Sequence, residues 1–104
     1  MRHFICALRD NFSSFGYSGC IAEISENGIK ASHPFCSNLL TVPCENVIKI
    51  IQFKNKWFDL KLEYYNGLKR KEIAHLRVTR KKAFILYAIQ LGLEVETKEK
   101  FKRE

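Results

Sequence analysis

The pattern of hydrophobic and polar positions reads as strands over roughly the first two-thirds of the chain and then switches to helical spacing. Residues 3–9 form an apolar run ending in charge. Residues 11–19, rich in Ser, Gly and Asn, read as a loop or wide hairpin. Over residues 20–25, Cys20, Ala22 and Ile24 share one face, and Ile21, Glu23 and Ser25 share the other. Glu26-Asn27-Gly28 reads as a turn, because Asn and Gly tolerate positive φ, and residues 29–32 as a short return strand. Residues 33–45 hold both prolines and read as an irregular connection with one helical turn over 36–40. Val47, Ile48, Ile50, Ile51 and Phe53 predict a buried strand. In the clearest alternation, Phe58, Leu60, Leu62 and Tyr64 interleave with Asp59, Lys61 and Glu63, which predicts a half-buried strand with one wet face. Asn66-Gly67 signals a two-residue hairpin turn. Its partner strand runs over 68–78, with Ala74, Leu76 and Val78 facing one way and Ile73, His75 and Arg77 the other.

Residues 80–91 change character. Thr79 suits an N-cap, Ala83, Phe84, Tyr87, Ala88 and Leu91 recur at helical spacing, and Gly92 suits a helix stop. Ile85, Leu86 and Ile89 make this helix apolar around most of its circumference. Such a helix covers a curved sheet, and its spare face offers a homodimer contact. The expected fold is therefore mainly β with a C-terminal α-helix, as one domain over residues 1–95. Residues 96–104 read as a frayed, mixed-charge tail.

Charge sharpens this picture. Residues 46–104 hold 15 basic and seven acidic side chains, whereas residues 1–45 hold three and four, within a net charge of +7. A basic C-terminal half attracts anions such as nucleic acid, nucleotide or an acidic partner. Arg80, Lys81 and Lys82 sit where the helix macrodipole is already positive, and Lys82 stands where a capping box would prefer Glu or Gln. With Arg77 they make a candidate anion site on backbone N–H groups, which His75 and Lys69-Arg70-Lys71 could extend. Trp57 and Tyr65 are the candidate base-stacking aromatics. The plain alternative is a solvated basic face.

At 104 residues, 46% hydrophobic and 28% charged, the chain fits one globular domain. No apolar run is long enough to span a membrane, and residues 1–4 lack the features of a signal peptide, so a cytoplasmic location is expected. Cys6, Cys20, Cys36 and Cys44 are then expected as reduced thiols, mostly small buried hydrophobes. His3-x-x-Cys6 and His33-x-x-Cys36 repeat a spacing that could supply four zinc ligands. Structural zinc arms usually pair like with like, so no metal is expected. His3, His33 and His75 lie in separate segments with no motif that joins one to a nucleophile, so an enzyme is not expected either.

The stretch from Cys20 to Ala31 contains Glu23-Ile24-Ser25-Glu26-Asn27-Gly28. It resembles the PilZ family, whose Asp/Asn-x-Ser-x-x-Gly motif ends a strand. Ser25 and Gly28 match, and Glu23 stands at the first position. The order of elements over residues 2–92 is also similar. The resemblance implies a six-stranded antiparallel β-barrel followed by a helix, in a bacterial signalling module that binds cyclic di-GMP. PilZ domains hold that ligand with an Arg-x-x-x-Arg motif roughly twenty residues upstream. Arg2 lies where the second arginine would fall, and no first arginine precedes it in this chain. The implied ligand-binding residues are Arg2, Arg9, Glu23, Ser25 and Gly28. Ser25 and Gly28 equally suit a tight turn. The sequence thus points to a small binding or adaptor module that either binds cyclic di-GMP or acts through a protein partner. The alternative is a basic β-barrel that binds RNA or single-stranded DNA.

Overall fold

The computed structural model describes residues 2–10, 17–33, 37–54 and 56–98. Its strands are β1 (Arg2–Asp10), β2 (Tyr17–Ser25), β3 (Gly28–His33), β4 (Ser37–Val42), β5 (Val47–Phe53), β6 (Lys56–Tyr65), β7 (Lys71–Val78) and β8 (Val95–Lys98). Among the described residues the single helix is α1 (Lys81–Gln90), and a 3-10 turn spans Cys44–Asn46. Consecutive strands pair as antiparallel neighbours from β1 to β4 and from β5 to β7. Two four-stranded halves result, β4-β3-β2-β1 and β7-β6-β5-β8. The β1·β7 ladder, Cys6 to Val78 through Asp10 to Ala74, joins them into one order.

The alternation over 20–25 and 58–64 places Cys20, Ala22 and Ile24, with Leu60, Leu62 and Tyr64, on the inner face. There they meet Ile29, Ala31, Val42 and Ile50 in one cluster drawn from both halves. The helix covers this face through Phe84, Ile85 and Ala88. Phe84 is fully buried, and its ring meets that of Phe4 edge to face at 5.3 Å. α1 ends as its sequence predicts. Gly92 takes φ +82°, the Gly92 N–H donates to the Ile89 carbonyl, and the Leu93 N–H donates to the Ala88 carbonyl, which is a Schellman stop.

The mainly-β class with a C-terminal helix is observed. The strand count and closure differ from a six-stranded barrel: among the described residues there are eight strands, and β4 and β8 stand at opposite ends of an open order. Both end strands correct the expectation. Residues 37–42 form β4 instead of a helical turn, and a bulge between the Ala31 and Ser32 pairings lets Leu39 and Leu40 both pack toward the core. Residues 95–98 form β8, parallel to β5, which takes in the first three residues of the expected 96–104 tail, and the rest of that tail lies outside the described residues. The wet face expected of β6 is only partly wet: Lys61 and Glu63 are buried at 8% and 6% exposed, and Asp59 is half-buried.

Two turns show how local chemistry sets the ladders. Ser25 pairs with Gly28 across Glu26-Asn27, and Gly28 takes φ +126°. A Cβ on Gly28 would lie 2.1 Å from the Val42 carbonyl oxygen, so glycine is needed both for conformation and for close approach. The Asn66-Gly67 signal marks a turn of a different type from the one expected. The Asn66 N–H donates to the Arg70 carbonyl and the Lys69 N–H to the Asn66 carbonyl, while Lys69 takes φ +60°. This is a three-residue loop whose left-handed position is Lys69, not Gly67. Asn66 holds it by accepting the Leu68 and Arg70 N–H groups on Oδ1 at 2.8 and 3.1 Å.

Glycine scanning of these turns separates the roles. Gly28→Ala is expected to cost more than about 2 kcal/mol. Gly67→Ala should change stability by less than about 1 kcal/mol, since nothing lies within 4 Å of its added Cβ. Lys69→Gly should gain about 0.5–1 kcal/mol by relieving the left-handed strain. Urea denaturation midpoints measure all three, and a large loss in Gly67→Ala would contradict the observed turn.

Candidate functional site

The Glu23–Gly28 segment is built as a hairpin end. The Asn27 N–H donates to Ser25 Oγ at 3.2 Å, and the Cys44 thiol donates to the Ser25 carbonyl at 3.6 Å. Ser25 is 7% exposed, so its hydroxyl is occupied in holding the turn. Glu23 lies on the outer face, its Oε2 3.5 Å from His3 Nε2 on the neighbouring strand. The β1·β2 register sets Arg2 opposite Ile24, beside this segment. Arg9 instead pairs with His75, about 23 Å along β1 from Arg2. Of the five residues implied as ligand-binding, four therefore gather at one hairpin end and Arg9 lies at the other. The side chains of Arg2 and Arg9 lie outside the described residues.

The basic residues of β7 and α1 divide into two groups. Arg77, Arg80, Lys81 and Lys82 lie together at the β7–α1 junction. Arg77 is exposed, with its Nε 3.5 Å from Asp59 Oδ1 on β6. Arg80, not Thr79, occupies the N-cap, with no side-chain cap bond and no acid in the first turn. No acid of the first turn therefore offsets the positive end of the helix macrodipole. Burial pushes the Lys81 ammonium below its usual range, Asp59 pulls it back up, and Lys82 pushes it down again. Lys69, Arg70 and Lys71 lie at the far end of β7, about 20 Å from Arg77, so they do not extend this site as a compact pocket. The outer face of β7 runs Lys71, Ile73, His75, Arg77 between the two groups.

A third feature, an ion-pair ladder on the outer face of the β7-β6-β5-β8 half, has no signature in the sequence. Lys71 Nζ lies 2.7 Å from Glu63 Oε1, Glu63 Oε2 lies 3.9 Å from Lys49 Nζ, and Lys49 Nζ lies 2.7 Å from Glu96 Oε2. The bond to Lys49 holds the Glu96 carboxyl below its usual range, and the same bond holds Lys49 above its own. Lys61 lies with its ammonium 5.9 Å from the Phe53 ring centroid. Only cross-strand register brings these residues together, which is why no spacing within one strand revealed them.

The remaining candidates separate. His3 is exposed on the outer face of β1 and Cys6 is buried on the inner face, so these two cannot ligate one ion. Cys36 and the side chain of Trp57 lie outside the described residues, and Tyr65 is 47% exposed. Among the described residues no cluster of three or more metal-binding side chains occurs. No helix among them is long and apolar enough to cross a membrane. Leu86 and Ile89 form the exposed ridge of α1, at 59% and 54%. Comparison of the chain with protein-family profiles, curated proteins and solved structures finds no match.

The buried thiol of Cys6 yields a pH prediction. Burial, reinforced by Cys20, pushes it from its ordinary 9.0 up to about 12. A raised value in the folded state means that its contribution to stability is complete below pH 9 and is lost as pH climbs through about 12. Denaturant titrations across that window should show a steeper alkaline decline for the wild-type chain than for Cys6→Ala. Parallel curves would show that Cys6 ionisation is not resisted by the fold.

Proposed function

We propose that the chain is a non-catalytic module that binds a polyanion, single-stranded nucleic acid, along the outer face of β7 and the start of α1. The observation that carries this reading is the junction itself: Arg77, Arg80, Lys81 and Lys82 lie at the end of β7 and the start of α1, where the N-cap residue makes no side-chain cap bond and the first turn holds no acid. Each cation placed there opposes the macrodipole, a local cost that phosphate oxygens would reverse. The second basic group at the far end of β7 supports an extended ligand over a compact one.

A second reading, the cyclic di-GMP module implied by the PilZ resemblance, is supported by one register. Arg2 lies opposite Ile24, at the hairpin end that holds Glu23 and Ser25, in a register position that shares a face with Ile24 and not with Glu23. The hydroxyl of Ser25 serves the turn, so this reading relies on Arg2 and Glu23. Titration calorimetry with cyclic di-GMP tests it: heat that disappears in Glu23→Ala favours it, and no heat at high micromolar ligand removes it.

For the polyanion reading, fluorescence anisotropy with labelled single-stranded oligonucleotides should show an affinity that falls steeply with salt as counterions are released. Arg80→Glu and Lys82→Glu should each weaken binding by about tenfold at low salt and reduce the salt slope, as expected for lost phosphate contacts. Lys30→Glu, the same charge change on exposed β3, should cost much less. Absent binding at low salt, or equal losses in all three variants, would refute the junction as the site.

A further inference from the structure

Cys6 on β1 and Cys20 on β2 are direct partners in the antiparallel register. Both point into the core, 3% and 0% exposed, and both are present as thiols. Residues directly opposed in an antiparallel pair have Cα atoms about 4.5–5.5 Å apart. That interval falls within the roughly 4.4–6.8 Å that a disulfide spans. The other described cysteine, Cys44, is committed elsewhere, with its thiol on the Ser25 carbonyl. The polyanion surface proposed above uses neither Cys6 nor Cys20. Their strand has a special place in the fold, since β1 is paired with β2 on one side and with β7 of the other half on its second side.

We propose that Cys6 and Cys20 are an oxidation site that closes a cross-strand disulfide between β1 and β2, with a low-molecular-weight disulfide such as oxidised glutathione as the oxidant. One cysteine loses its proton to water, and its thiolate attacks a sulfur of the oxidant. A protein–glutathione mixed disulfide forms, and the first glutathione thiolate leaves and takes up a proton. The second cysteine, likewise deprotonated, attacks the protein sulfur of that mixed disulfide and expels the second glutathione thiolate. Two protein S–H groups are oxidised, and one glutathione disulfide is reduced to two thiols.

Access sets when this occurs. Burial pushes the Cys6 thiol up to about 12, so at neutral pH the native thiol is protonated as well as shielded. Exchange therefore runs during folding, or when β1 lifts from β2, and the closed bond then removes that opening. β1 can afterwards part only from β7, at the joint between the halves.

The test uses the full chain, unfolded and then refolded either in a glutathione redox buffer or in excess reductant. Remaining thiols are alkylated, and peptides are mapped by mass spectrometry. The expected product links the peptides bearing Cys6 and Cys20, in a chain about 2 Da lighter for the two hydrogens lost. Its Tm should exceed that of the reduced chain by about 10 °C or more. Cys44→Ala should retain both the link and the Tm rise, and Cys20→Ala should lose them. Peptide mapping of the wild-type chain decides the matter even if Cys20→Ala does not fold. Alkylation of both thiols after oxidative refolding, linkage of either one to Cys36 or Cys44, or a linked pair with unchanged Tm would overturn the proposal.

Discussion

The joint between β1 and β7 is the constraint on which the rest of the structure depends. Every other antiparallel ladder joins strands consecutive in the chain, but this one brings residues 6–10 against residues 74–78. Closing so long a loop costs roughly 4 kcal/mol of chain entropy. The cost is offset only because the joint turns both inner faces toward one core. Cys6 and Phe4 from one side, and Leu76 and Val78 from the other, reach the same cluster as Phe84. Phe84 fills that junction so completely that the helix cannot be an accessory. Without α1, Phe4 would lose the ring that covers it and the part of the shared core around Phe84 would open to water. A side chain as large as Phe84, fully buried, contributes on the order of 2–3 kcal/mol by transfer alone, and its edge-on contact with Phe4 adds orientation.

A second constraint acts on the outer face. Glu63 and Lys61 sit where the alternation of β6 calls for exposed residues, yet both are buried. A carboxylate can stay charged there only if partners replace its lost water. Glu63 has two, Lys71 on β7 and Lys49 on β5, and Lys49 continues to Glu96 on β8. The ladder thus crosses all four strands of this half. It contributes more to specificity than to stability, because a one-residue slip of β5 or β8 would carry a charge to the inner face. Gln52 adds a second tie to β8 by donating to Thr97 Oγ1 at 2.9 Å.

Elements whose burial shows in their own alternation were legible in the sequence. The inner faces of β2, β6 and β7, the Gly28 turn, and the helix with its glycine stop all follow from local pattern. What was missed depends on distant partners. β4 hides its strand character because a bulge sends two successive leucines toward the core and breaks the alternation. β8 reads as a charged tail because its pairing is parallel and its partners lie about 45 residues away. Asn66-Gly67 was located correctly and mistyped: the two N–H groups that Asn66 accepts favour a longer loop, which moves the left-handed position to Lys69. The cysteine pairing was invisible for the same reason as the ion ladder, since only register creates it.

The same division governs function. Reading the cations by sequence alone merges Lys69-Arg70-Lys71 with the helix start into one basic site, whereas β7 holds the two groups about 20 Å apart. A compact anion such as a cyclic dinucleotide can engage one group at most. A strand several nucleotides long can meet both while crossing the outer face of β7. That face is not uniformly positive, because Lys71 and Arg77 are each tied to an acid on β6, Glu63 and Asp59. Arg80, one residue before the helix, makes no ion pair with an acid among the described residues, and no acid stands in the first turn of α1. In the proposed polyanion reading, phosphate would be met first at Arg80, beside the pair that Arg77 makes with Asp59. Contacts along β7 come afterwards, in competition with the ion pairs that hold β6 and β7 in register.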